Sequence, residues 1–436
     1  MRLAVQLSAF VGGYSAIFSA LPRFSLQRAR EYVCGLLVAD KGTMQRMEEA
    51  VSGSDEQALQ HFMARSAWDE RAVVRQVGQD VDRLLGGQGD SCLILDETGL
   101  PKKGEQSVGV ARQWCGQVGK VDSCQVAVFA VMNRGTRAAP VDVRLYLPRE
   151  WTDDRKRCRK AGIPAADMRL RTKHELALEI VESARTNGLR YRWVGCDAFY
   201  GKNPMFLRAL QQRGETFVAD VHKNQVVYLE DPSRPAAQVR GIRVDDWVAH
   251  RPETAWRRVA VRDTTKAELQ VEILHQVVWL WDGNEAVAHQ WRLLVRREIA
   301  SPEKIKYVLS NAGSGVDARR LAFMQAQRYW VERSFQDAKA QAGLGDYQVR
   351  GWKPWHRHMA LVLMAMAFLL QARLGHESDY PLLSCRDVTA VLKQSIRAQQ
   401  MTPEALIRQL EKRHRQRQQS VSSAAYRRQP PPLTNG

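Results

Sequence analysis

Arg328, Glu332 and Lys339 follow one another at intervals of four and seven residues, in a stretch, QRYWVERSFQDAK, that has strong helix formers and no proline. At about 100° per residue, these offsets return to within roughly 40° of one direction. One helical face then presents a guanidinium, a carboxylate and an ammonium in a row. Such a stripe suits a metal-bound phosphate, with the acid as ligand and the bases on the non-bridging oxygens. The same spacing also makes an ordinary solvated face laced with salt bridges, and the helix alone does not separate the two readings.

Two aspartates upstream shift the balance. Asp96 ends the apolar run CLIL and Asp197 ends RYRWVGC, each at the C-terminal end of an expected strand. A single acid there is usually a turn or cap residue, but active sites of α/β proteins gather at that edge. Carboxylates from strand, strand and helix make a hard-oxygen site for two Mg²⁺ or Mn²⁺ ions. Such ions would activate a water or a 3′-hydroxyl for in-line attack on a phosphodiester. Glu97 should point to the opposite face of its strand, and Asp337 falls on another face of the helix.

The elements that must position these groups can be read in order. Residues 1–88 form a helical domain, with apolar spacing of three and four and an N-cap near Ser54 and Asp55. It has no helix-turn-helix signature, so it either binds DNA or is a packing layer. The core runs over 89–222 and 305–375, with strands at CLIL, near GVARQWCG, at CQVAVFAVM and from Val141 to Leu147. A helix, the RYRWVGC strand, a short helix and TFVADV follow. Between the core halves, residues 223–304 read as a β-rich insertion domain containing Trp247, Trp256, Trp279, Trp281 and Trp291, most of them core residues, with one or two free to stack on an unpaired base. Residues 376–436 are a basic helical segment, centred on 402–428, and an unstructured tail. The fold class is α/β, a mixed sheet flanked by helices.

Composition narrows the partners. The 436 residues carry a formal net charge of +18, which points to a polyanion such as nucleic acid. Hydrophobic content of 44% and charged content of 26% fit a soluble globular chain. The seven cysteines form no CxxC pair and read as reduced thiols in a cytoplasmic protein associated with the nucleoid. The apolar start, MRLAVQLSAFVGG, is interrupted by Gln6, Ser8 and paired glycines, so export is not expected. The apolar run at 359–370 is too short to span a bilayer and reads as a buried helix.

Together, DETGLPKKG, GVARQWCG, GCDAFYG, RYWVERSFQDAK and WHRHM resemble the DDE insertion-sequence transposases with a ribonuclease H-like core. Within these, they resemble the branch with a Y-x2-R-x3-E-x6-K signature, in the IS seven-oh-one group. The resemblance implies metal binding and catalysis by Asp96, Asp197 and Glu332, and phosphate contacts by Arg328 and Lys339. It implies a homodimer on paired double-stranded DNA ends, cleavage at inverted repeats and strand transfer into target DNA. Gln325 stands where the signature has tyrosine, which removes a tyrosine–phosphate contact. Lys102, Lys103, Arg112 beside Trp114, and Arg357 between His356 and His358 are further candidates for the DNA channel. Two alternatives remain: a ribonuclease H-like nuclease without strand transfer, and a non-catalytic DNA-binding derivative.

Overall fold

The structure is a computed structural model that describes residues 3–18, 25–234, 239–263, 268–283 and 285–398, with scattered positions between 407 and 423. Most of the basic stretch expected at 402–428, and the tail after it, lie outside the described residues.

Helices α1 (Leu3–Gly12), α2 (Ser15–Phe18), α3 (Ser25–Val38), α4 (Met44–Ala50), α5 (Glu56–Ala64) and α6 (Glu70–Leu85) come first. Asp55 caps α5 by accepting from the main-chain N–H groups of Gln57 and Ala58, as the sequence suggested. Strands β1 (Cys92–Pro101), β2 (Ala111–Cys115), β3 (Lys120–Arg134) and β4 (Arg137–Leu145) follow. Next come α7 (Arg149–Thr152), α8 (Arg155–Lys160), α9 (Lys173–Thr186), β5 (Trp193–Cys196), α10 (Ala198–Gly201), α11 (Pro204–Gln212) and β6 (Phe217–Val221). The insertion region holds β7 (Val226–Val227), β8 (Ile242–Arg243), α12 (Val244–Ala249), β9 (Arg257–Asp263), β10 (Glu268–Leu280) and β11 (His289–Glu298). The chain then runs through β12 (Ser301–Ser310), α13 (Ala318–Ala326), α14 (Tyr329–Gln341), α15 (Trp352–Gly375) and α16 (Cys385–Ala398).

Cys92 to Leu95 are buried on both faces of the sheet, so this run belongs in a central strand covered on both sides. β1 pairs antiparallel with β3 and parallel with β5, β4 pairs antiparallel with β3, and β6 runs parallel to β5. The order β4-β3-β1-β5-β6 is the ribonuclease H-like arrangement.

The sheet does not stop there. β12 pairs antiparallel with β6, and β11, β10 and β9 continue outward to make ten strands. The expected boundary at 304 therefore falls inside β12. Strands β9–β11 extend the core sheet rather than build a separate one, because β6 would otherwise leave an unpaired edge.

The helical residues before β1 are likewise part of the main core. α15 packs on α6, α3, α5 and β4, and one hydrophobic cluster runs from Leu3 to Ile396. At 24 residues α15 is longer than the apolar run suggested, and long enough by composition to cross a bilayer, yet 78% of its apolar window is buried inside the fold. All seven cysteines are free thiols.

Arg357 corrects one expectation. It is fully buried on α15, and its guanidinium donates to the carbonyls of Phe62, Met63, Ser66 and Trp68 just beyond and within the end of α5. Its flanking histidines are structural too. His356 Nδ1 meets the Trp352 carbonyl, and His358 bridges the Tyr32 hydroxyl and the Gly343 carbonyl. Burial pushes both imidazoles down to about 3, so they are neutral. Replacing Arg357 by methionine should cost about 3 kcal/mol or more in urea unfolding, since several buried carbonyls lose their donor. DNA affinity of the folded fraction should be unchanged; a selective loss of DNA binding would return Arg357 to the channel.

Candidate active site

The site is built from strand register. Leu95 is level with Cys196 in the parallel β1–β5 pair, and Cys196 is level with Ala219 in β5–β6. The next residue of each strand is an acid, so Asp96, Asp197 and Asp220 stand in one row across three neighbouring strands. Asp197 also caps α10, its Oδ1 accepting from the N–H groups of Phe199 (3.0 Å) and Tyr200 (3.4 Å). Gly201 lets this short helix lie against β6: a Cβ there would be 1.9 Å from the Asp220 carbonyl oxygen. The sequence reading missed Asp220, although it placed the TFVADV strand. The sequence places Asp96 at a strand end, but β1 runs on to Pro101 against β3, and what stops before Asp96 is its parallel pairing with β5. Asp220 likewise lies one residue inside the end of β6, so the available signal was an acid closing an apolar run.

Glu97, next along β1, has partners of its own yet lies close enough to raise the Asp197 carboxyl. It pairs with Lys173 at 2.6 Å and accepts from the Tyr200 hydroxyl at 3.0 Å.

Arg328, at the start of α14, is the hub. Its guanidinium reaches Asp220 at 3.2 Å, Glu332 at 3.1 Å and Asp96 at 3.6 Å. Gln325 at the end of α13 is buried and donates from Nε2 to the other oxygen of Asp220 at 3.0 Å. Farther along α14, Lys339 donates to the Thr98 hydroxyl at 2.8 Å. Asp96 and Thr98 are two apart on β1 and share a face, so the Arg328–Glu332–Lys339 stripe lies along the strand that carries the first aspartate. Glu332 is the outlying member: its side chain is 55% exposed, against 14% for Asp96.

Charge is concentrated here. Burial, reinforced by Asp197 and opposed by Arg328, pushes the Asp96 carboxyl up to about 7. Asp197 is also raised, by burial and by Glu97. Burial alone would lower Arg328, but Asp220, Asp96, Glu332 and Asp197 together hold it above its ordinary value. Asp96 and Asp197, adjacent and incompletely neutralised, have the donor chemistry a hard divalent cation takes. Glu332 is held by Arg328, and among the described residues no three His, Cys, Asp or Glu side chains converge as a metal cluster. The two aspartates therefore fit a cation as they stand; the glutamate must first leave Arg328.

A cleft of about 650 Å³ opens beside the row, its lining including Asp197, Asp220, Arg328, Lys223, Lys306 and Tyr307, with Asp245 and Glu303 also at its wall. Lys223 and Lys306 were not singled out from the sequence. The other candidate cations lie elsewhere. Lys102 holds the carbonyls of Gly345 (3.3 Å) and Tyr347 (3.1 Å) and sits over the Tyr347 ring; burial pulls its ammonium down to about 8. Lys103 and Arg112 are exposed, with Trp114 61% exposed beside Arg112 on β2. All five insertion tryptophans are buried or half-buried.

The raised Asp96 carboxyl gives the metal-free fold a pH dependence of fixed sign. The folded state holds this proton more tightly than the unfolded chain, so its stabilising contribution is complete below about pH 4 and is lost as pH rises through about 7. Asp96→Asn cannot ionise. It should match wild type near pH 4 but exceed it at pH 8 by on the order of 1–3 kcal/mol, in urea unfolding with EDTA. An equal difference at both pH values would show that the carboxylate is not strained.

Comparisons with known proteins bear on the family of the chain. A curated protein of Microchaete diplosiphon, described as "Probable transposase for insertion sequence element IS701", is 22% identical over 352 residues, covering 80% of this chain and 84% of its own length. The solved piggyBac transposase synaptic complex with hairpin DNA aligns over 92% of this chain and 80% of its own, at 11% identity and a TM-score of 0.42. The family described as "DDE superfamily endonuclease" matches residues 17–280, which take in Asp96 and Asp197 and stop before Glu332. With more than half of its length matched, the chain belongs to the DDE superfamily of endonucleases.

Proposed function

We propose that this protein is a DNA transposase that cuts double-stranded DNA at the inverted-repeat ends of an insertion sequence and joins the freed 3′ ends to target DNA, as a homodimer on paired ends. The observation that carries the reading is the acid row where the parallel pairing of β1 and β5 ends, faced by α14 with Glu332 and its flanking cations. Superfamily membership implies a divalent metal, and we take it to be a pair of Mg²⁺ or Mn²⁺ ions.

Asp96 and Asp197 would hold the metal, and Glu332 would complete the set on release from Arg328. When bound, the metal supplies a more acidic attacking water or hydroxyl and neutralises charge on the leaving 3′-oxygen. The chain's own residues do the rest. Arg328 offers a planar fork suited to two phosphate oxygens, and Lys339 extends the same stripe along the strand. Lys223 and Lys306 in the cleft lining would hold the backbone of the cut strand. The cleft has four lining carboxylates, Asp197, Asp220, Asp245 and Glu303, against three cations, Lys223, Lys306 and Arg328. Phosphate is therefore repelled from it until divalent charge is present.

The direct test uses a duplex carrying the DNA that flanks the gene, with Mg²⁺ or Mn²⁺. Wild type should nick at discrete end positions, and Asp197→Ala and Glu332→Gln should each lose at least about a hundredfold while still binding. Cleavage that survives Glu332→Gln would remove that residue from the site. Cleavage without joining would reduce the activity to that of a nuclease, and specific binding without cleavage to a DNA-binding protein.

A second measurement addresses the cleft. Lys223→Ala and Lys306→Ala should each weaken binding alike on all sequences and lower the salt slope of log K by about 1. An unchanged slope would place the backbone elsewhere.

A further inference from the structure

Asp220 is the one member of the acid row to which the reading above gives no task. Its surroundings are specific. One carboxylate oxygen accepts from Gln325 Nε2 at 3.0 Å, and the other accepts from Arg328 Nε at 3.2 Å. Asp220 is thus gripped from the end of α13 and grips the start of α14. The Arg328 head groups left over reach Glu332 and, at longer range, Asp96. Both of these are metal ligands on the reading above, so in the metal-free site a protein cation occupies positions that a divalent ion needs.

We propose that Asp220 is a positioning residue: by anchoring the Nε edge of Arg328, it sets how strongly that guanidinium competes with divalent metal for Asp96 and Glu332. The proposal rests on the assignment of those two acids as metal ligands. With the anchor in place, Arg328 can give up Glu332 and Asp96 when metal arrives and still remain at the edge of the cleft, its fork turned to phosphate. Without it, the guanidinium has only the two metal ligands as partners and settles on them, since a buried cation keeps whatever carboxylate it can reach. Gln325 serves the same device. Its amide fixes the Asp220 carboxylate and so takes a place where the signature of this branch has tyrosine.

The anchor reading and direct ligation by Asp220 both predict that Asp220→Asn weakens metal binding. A double-mutant cycle separates them. Mn²⁺ binding to the full-length protein, without DNA, is followed by the free-Mn²⁺ electron paramagnetic resonance signal, with circular dichroism to verify folding. Asp220→Asn should weaken Mn²⁺ binding about five- to tenfold. Arg328→Met, which removes the competing cation, should tighten it severalfold. In the Arg328→Met background, Asp220→Asn should have no further effect. Gln325→Met, which frees Asp220 while keeping its charge, should shift binding the same way as Asp220→Asn but less, and should also be silent without Arg328; it supplies the test if Asp220→Asn does not fold.

Weakening that persists in the Arg328→Met background would make Asp220 a direct ligand and overturn the anchor, leaving the metal site intact. The same holds if Asp220→Asn leaves affinity unchanged. Mn²⁺ binding that is insensitive to Asp197→Ala would overturn the metal site, and this proposal with it.

Discussion

Carboxylates at the ends of neighbouring parallel strands repel one another, and the partly buried edge on which they stand gives water little room to screen them. Asp96, Asp197 and Asp220 occupy that position because of register, and the cost is visible at Asp96, whose carboxyl is raised by burial and by Asp197. Something cationic has to be present. In the protein by itself it is Arg328, which touches two of the row and Glu332 as well. Much else serves that contact. α14 must lie along β1 to deliver the guanidinium, and the Lys339–Thr98 hydrogen bond sets its alignment farther along. Gln325 restrains the acid on the far side. Gly201 brings α10 close enough to β6 for Asp197 and Asp220 to be neighbours.

The remainder of the fold makes this edge rigid. The Cys92–Leu95 run of β1 is buried on both faces, so Asp96, next along the strand, cannot shift without disturbing the core. On one side α15 and the N-terminal helices form a single apolar mass with the sheet, and the buried Arg357 ties the end of α5 to α15. On the other side the sheet grows through β12 into β11, β10 and β9, which supports β6 and carries Lys306 to the cleft wall. The insertion is therefore not an appendage to the site. It extends the strand row that presents the acids and contributes Asp245 and Glu303 to the cleft lining.

How much of this was legible in the residues depended on whether the signal was local. Asp96 and Asp197 each end a compact apolar run, so strand and chemistry could be read in one stretch. The Arg328–Glu332–Lys339 stripe followed from helical spacing, and its two flanking bases do face β1. The capping role of Asp55 was equally local. Asp220 was not legible as a site residue, because its importance comes from lying level with Asp197, a property of pairing between strands. Lys306 was hidden for the same reason, since it meets the site only because β12 returns beside β6. Lys223, just past the end of β6, depended on Asp220 being recognised first. Arg357 was misread in the opposite sense. A basic residue between two histidines looks exposed in sequence, but four main-chain carbonyls at the end of α5 make a polar socket inside an apolar helix packing. No pattern along α15 announces that socket.

Two scales of electrostatics act in opposite directions here, and the opposition is useful. The whole chain carries +18, a field that draws polyanions from a distance of about a Debye length, 8–10 Å at ordinary salt. The cleft itself is lined by more carboxylates than cations, with Asp245 already paired to Arg243, and on the proposed reading this local balance holds phosphate off until metal is present. A protein with both properties gathers DNA onto its surface without committing a phosphodiester to the acid row. Commitment needs the row neutralised by something other than Arg328, since Arg328 cannot both offset three acids and grip a phosphate. On the proposed reading, a divalent ion held by Asp96 and Asp197 would offset the carboxylates, and Arg328 would then be free to meet the backbone. The proposed order, DNA gathered first and phosphate seated after metal, is the one this placement of charges favours.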